Sequence, residues 1–63
     1  MEYKIKEIRK KKKMSQSELA ERSGVSRTNI IRLENEPNVE TNVGTLVKLA
    51  DALGCSVKSL FLT

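Results

Sequence analysis

Two helix-start signals stand eleven residues apart in this 63-residue chain, with one glycine between them. Ser15-Gln16-Ser17-Glu18 is a capping box: the Ser15 hydroxyl can accept from the Glu18 amide, and the Glu18 carboxylate can reach back to the Ser15 amide. Met14 before the cap and Leu19 inside it make the matching hydrophobic staple. Ser26 repeats the device, with Val25 and Ile30 as its staple. Gly24 supplies the left-handed residue that ends the first helix. The spacing predicts helices over about 16–23 and about 27–35. The second stops before Pro37, because the residue preceding proline avoids the helical region.

Helical periodicity continues on both sides. Residues 3 to about 12 read as a first helix, with Ile5 and Ile8 on one face, lysines around the rest, and basic residues suited to its C-terminal dipole. The segment 36–41 is a polar loop. Thr41 or Asn42 caps a further helix that carries Val43, Leu46, Leu49, Ala50 and Leu53 at helical spacing and ends at Gly54. Ser56 caps a last short helix to about Phe61. No repeat, linker or low-complexity stretch interrupts the pattern. The expected fold is all-α, a compact five-helix domain spanning residues 1–63.

Two short helices joined across Gly24 must cross steeply, and they can do so only over a small contact residue. Ala20 meets that need, while Leu19, Val25, Ile30 and Leu33 pin both helices to the rest of the domain. This is the helix-turn-helix arrangement.

A chain of this length buries only about 60% of the surface it exposes when unfolded, so its core must be economical. It holds no run of about 18 apolar residues, which excludes a membrane span. The start of the chain lacks the apolar stretch of a secretory signal, and Cys55 is the only cysteine. A reducing cytoplasm is the expected setting. The net charge is +4, which favours a polyanionic partner without separating nucleic acid from an acidic membrane. Lys4, Lys6, Arg9 and the run Lys10 to Lys13 crowd the N-terminal segment, as a solvated basic helix end or as phosphate contacts.

The chain carries the strings Ser15-Gln16-Ser17-Glu18-Leu19-Ala20, Gly24-Val25-Ser26, Ile30 and Leu33-Glu34-Asn35, with Leu49-Ala50-Asp51-Ala52-Leu53-Gly54 further on. Together they resemble the phage repressor and Cro-type, xenobiotic-response-element class of helix-turn-helix proteins. The resemblance covers nearly the whole chain and implies a lambda-repressor-like DNA-binding domain. In that family the first, second and sixth residues of the second motif helix read bases, which here are Arg27, Thr28 and Arg32. The chemistry agrees: arginine can fork onto guanine O6 and N7, and threonine can offer a hydroxyl or touch a thymine methyl. Asn29 can bond adenine or a phosphate, and Ile31 can rest on a thymine methyl or bury the helix flank.

The same resemblance assigns phosphate contacts to Gln16, Asn35 and Thr45, with Lys10 added from the basic run. It also pairs Arg9 with Glu34 in a structural, partly buried salt bridge. Two features depart from the family pattern. The loop before the fourth helix offers Glu36, Asn38 and Glu40 where basic residues are common, and these carboxylates repel phosphates. Gly44 weakens a helix start but permits close backbone approach.

Other classes fare worse. The chain has no histidine, Cys55 sits at a staple position opposite Leu60, and no carboxylate pair marks a cleft, so neither an enzyme nor a metal site is expected. No cofactor or small-molecule ligand is implied. The rival reading is a protein-interaction module, an antirepressor or antitoxin-type adaptor on the same fold. Arg27 and Arg32 on the outward face favour double-stranded DNA, since a protein-binding groove more often shows apolar or aromatic anchors. One reading helix covers few base pairs, which implies a homodimer on a pseudo-palindromic operator. Val57, Leu60, Phe61 and Leu62 can form its twofold contact or close the core.

Overall fold

Side-chain caps start three of the four α-helices. The computed structural model describes residues 3–36 and 41–61. Helix α1 spans Ile5–Lys11, α2 Gln16–Ser23, α3 Arg27–Asn35 and α4 Val43–Leu53, and a single 3₁₀ turn, Val57–Leu60, follows. Ser15 Oγ accepts from the Glu18 amide at 3.0 Å, Ser26 Oγ from the Asn29 amide at 3.2 Å, and Asn42 Oδ1 from the Thr45 amide at 2.7 Å. Of the two candidate caps for α4, Asn42 holds the place. The capping box at Ser15 is half formed. The Glu18 carboxylate lies 2.8 Å from Arg22 Nη2, one turn on, and no return bond to the Ser15 amide forms among the described residues.

Glycines in the left-handed region end α2 and α4, with φ +77° at Gly24 and +70° at Gly54. α3 ends differently. Glu36 turns extended, at φ −102° and ψ 121°, so the chain leaves the helix before Pro37. The end of α1 is a Schellman motif: the Met14 amide donates to the Arg9 carbonyl at 3.1 Å and the Lys13 amide to the Lys10 carbonyl at 3.0 Å. Lys13 takes the left-handed conformation there, at φ 56°, where glycine is the usual occupant.

The first described residues depart from the expected helix. Tyr3 does not open α1. It forms an isolated antiparallel bridge with Phe61, and the rings lie 5.6 Å apart, tilted at 44°. The Lys4 amide donates to the Leu60 carbonyl at 2.6 Å, and Lys4 stands as the cap of α1 rather than inside it. The last segment is the expected short helix behind the Ser56 cap, whose hydroxyl accepts from the Ser59 amide at 3.3 Å, and it is of the 3₁₀ kind. The Ser59 amide bonds to the Ser56 carbonyl and the Phe61 amide to that of Lys58, both at i→i−3. Among the described residues the domain is all-α, with four α-helices and the closing 3₁₀ turn.

The core gathers one or more residues from every element. Ile5, Leu19, Ile30, Leu49, Leu53 and Leu60 are fully buried, joined by Met14, Val25, Leu33, Leu46 and Ala50. α4 packs against α1, α2 and the 3₁₀ turn, and α2 in turn carries α3. Truncating Leu49 or Leu53 to alanine removes about 2–5 kcal/mol. Val57, Phe61 and Cys55 are half-buried against this core. With Leu60 fully inside, these residues close the core rather than form a free apolar patch. Burial pushes the Cys55 thiol above its ordinary value, against a smaller opposing pull from Lys12. Gly44 is exposed, and a Cβ built there would meet Asn42 Oδ1 at 3.3 Å, so no neighbouring backbone closes on it. The readings placed on Pro37, Asn38, Glu40 and Leu62 lie outside the described residues. No helix is long and apolar enough to cross a membrane, and no His, Cys, Asp or Glu cluster suited to a metal occurs among the described residues.

Candidate nucleic-acid interface

Helix α3 has two unlike faces. Ile30 is fully buried, Leu33 nearly so, and the Glu34 side chain has no solvent-exposed surface. Arg27, Thr28, Asn29, Arg32 and Asn35 are exposed, and Ile31 is half-buried on the flank. The turn that delivers α3 is built locally. Ser23 Oγ accepts from the Val25 amide at 3.1 Å, Gly24 turns left-handed, and Ser26 caps the first turn. Side chains at positions 28 and 32 stand one turn apart and so lie side by side on the outer face.

The two arginines of that face differ. Arg27 forms no ion pair among the described residues. Arg32 Nε lies 3.8 Å from Glu36 Oε2, and both side chains are more than half exposed. A solvated pair at that distance is worth little and yields readily to another anion.

The buried face is held by charge as well as by packing. Arg9 Nε donates to Glu34 Oε2 at 2.7 Å and Nη2 to Oε1 at 3.1 Å. Arg9 Nη1 donates to the Met14 carbonyl at 2.8 Å, so this guanidinium also braces the segment between α1 and α2. Gln16 Nε2 donates to Glu34 Oε1 at 3.0 Å. Among the described residues no buried side-chain polar atom is left without a partner. A satisfied network of this kind rigidifies what it joins.

The residues assigned to the phosphate rim are spread more widely. Gln16 opens α2 and is half-buried, with the first-turn amides of Gln16 and Ser17 preceding any i→i−4 acceptor. Asn35 is exposed at the end of α3, and Lys10 is exposed near the end of α1. Thr45 is half-buried in the first turn of α4, its amide taken by the Asn42 cap. Of these four, Gln16 alone is joined by a side-chain hydrogen bond to another residue of α3 among the described residues. Sequence reasoning missed that bond, and missed Met14 as the third acceptor of Arg9. Both join segments by tertiary geometry, which no local spacing rule reports.

What the arrangement can do is present a rigid, convex helix face. That face offers two guanidinium forks, a hydroxyl and two carboxamides, beside a helix N-terminus able to hold an anion. Compared with known families, residues 5–60 match a model described as Helix-turn-helix. No curated protein matches the chain.

Proposed function

Because the chain belongs to this helix-turn-helix family, we propose that it is a sequence-specific regulator of transcription that reads the major groove of double-stranded DNA with α3. One observation carries the reading. Arg27, Thr28 and Arg32 stand in solvent on the outer face of a helix whose inner face is fixed by Ile30, Leu33 and the Arg9–Glu34 pair. Direct readout needs that combination of free donors on an immobile support. In this reading Arg27, Thr28 and Arg32 contact base edges, with Asn29 and Ile31 beside them. Gln16, Asn35, Thr45 and Lys10 contact phosphates.

The regulator acts as a cytoplasmic repressor of the lambda-repressor-like kind, a homodimer on a pseudo-palindromic site, and it has no catalytic activity. Size supports the dimer. The Cα trace extends 24 × 21 × 19 Å, so two copies fit side by side on half-sites about 34 Å apart. Among the described residues the large apolar side chains left in solvent lie on α4: Val43 is 69% exposed and Val47 48%, one turn apart. These two valines are the better candidates for the twofold contact.

Selection of bound duplexes from a random library, followed by titration of the winner at two salt concentrations, tests the reading. A recurrent two-fold-symmetric motif is expected. Affinity should fall with salt at a slope near −0.9 per phosphate neutralised. A chain that binds no duplex at low salt is the adaptor instead.

A further inference from the structure

We propose that Gln16 is a positioning residue for base reading: its side chain ties the start of α2 to the end of α3 and so sets the angle at which α3 presents Arg32. The inference rests on the DNA-reading function proposed above and deepens it. α2 and α3 are two arms joined at one end by the chain through Gly24 and Ser26. At the other end the first residue of α2 meets the last turn of α3, where Gln16 Nε2 donates to Glu34 Oε1 at 3.0 Å. A carboxylate only accepts, so the amide must turn its nitrogen toward Glu34 and keep its carbonyl away. That fixes which end of the amide faces Glu34. One N–H remains free to face a phosphate.

The tie works at the point of greatest leverage. Glu34 is eight residues into α3, about 12 Å from the joined end, and Arg32 is about 9 Å from it. A slip of about 1 Å at Glu34 therefore carries Arg32 about 0.7 Å, while Arg27, beside the joint, hardly moves. Binding groups must be held to about 0.5 Å to keep their selectivity. Arg9 holds the same carboxylate toward α1, through Nε to Oε2 and Nη2 to Oε1. Apolar packing already joins α2 to α3, and among the described residues Arg9 adds no hydrogen bond to α2 itself. Gln16 supplies that bond, and Glu34 Oε1 is shared between the two donors.

A phosphate contact and a positioning tie leave different marks. Loss of a phosphate contact weakens every duplex alike. Loss of the tie weakens discrimination at the base pair under Arg32 and spares the one under Arg27. The experiment measures affinities of the wild type, Gln16→Met and Gln16→Lys for the selected duplex and its complete set of single base-pair variants. Amide hydrogen exchange of the free proteins is followed in parallel.

Gln16→Met is expected to lose about three- to tenfold of the discrimination at the Arg32 position, the scale of coupling between residues in one network. Exchange should quicken in the last turn of α3 and stay unchanged in its first. Gln16→Lys, which again offers Glu34 a donor, should restore both. If Gln16→Met does not fold, Gln16→Ser takes its place, being too short to reach Glu34. Uniform weakening with discrimination intact, or unaltered exchange at the end of α3, overturns the proposal. A wild type that binds no duplex overturns the regulatory reading and the positioning role with it, and the exchange data then report only on the tie.

Discussion

Arg9 and Glu34 meet in a two-point fork, Nε to Oε2 at 2.7 Å and Nη2 to Oε1 at 3.1 Å, with the carboxylate shut off from solvent and the guanidinium side chain 10% exposed. Removing one partner strands the other in a poorly solvated place, which costs about 3–5 kcal/mol. A domain of this size has roughly 3–9 kcal/mol in total, so Arg9→Ala should take much of it. The pair replaced together, as Arg9→Met with Glu34→Leu, should lose less than Arg9→Ala alone. Urea unfolding of the three proteins checks this. A double variant less stable than the single would show the ion pair to be strongly stabilising in its own right.

Arg32 and Lys10 should respond to substitution in different ways. Arg32→Ala is expected to cost about 1–3 kcal/mol on the preferred duplex and to relax preference at one base pair. Lys10→Ala should weaken all duplexes by a similar factor and lower the salt slope by about one phosphate. Binding isotherms over a panel of single base-pair variants at two salt concentrations separate the cases. Equal weakening by Arg32→Ala on every duplex would make it a phosphate contact.

Lys13 sits at φ 56° in the Schellman motif that ends α1. Left-handed backbone costs a residue with a Cβ about 1–2 kcal/mol, and glycine escapes that cost at the expense of a more disordered unfolded chain. Lys13→Gly should therefore stabilise the domain by about 0.5–1 kcal/mol, read as a higher urea midpoint with unchanged slope.

These residues also show what the sequence could and could not reveal. The caps at Ser15 and Ser26, and the left-handed Gly24 between them, involve atoms two to four residues apart, so their chemistry is visible in a string of letters. The exposed and buried faces of α3 follow from the same short range. Tyr3 was misread because its bridge partner, Phe61, stands at the opposite end of the chain. The closing segment was legible as a short helix behind Ser56, though not its 3₁₀ type. Glu18 illustrates a local ambiguity: its carboxylate can cap backward or pair forward with Arg22, and it pairs forward. In the candidate site, side-chain types were legible and the resemblance paired Arg9 with Glu34, but the couplings of Gln16 and Met14 to that pair were not legible. Gln16 reads as a phosphate donor from its place at a helix start, and only the packed structure brings Glu34 to its amide.

Gly44 offers the last test, because two small effects oppose each other there. Glycine in a helix gives up as much as about 1 kcal/mol relative to alanine, and less in a first turn such as this. Against that gain, a Cβ would stand 3.3 Å from Asn42 Oδ1, the oxygen that caps the Thr45 amide. The cap bond is short, 2.7 Å, and Asn42 is exposed, so its amide can swing a few tenths of an ångström and remain bonded. The propensity gain should win. Gly44→Ala is expected to raise stability by about 0.5 kcal/mol, or roughly 2–4 °C in Tm for a domain of this size. A lower Tm would mean that the Asn42 cap cannot yield, and that the start of α4 is held more tightly than its exposure suggests.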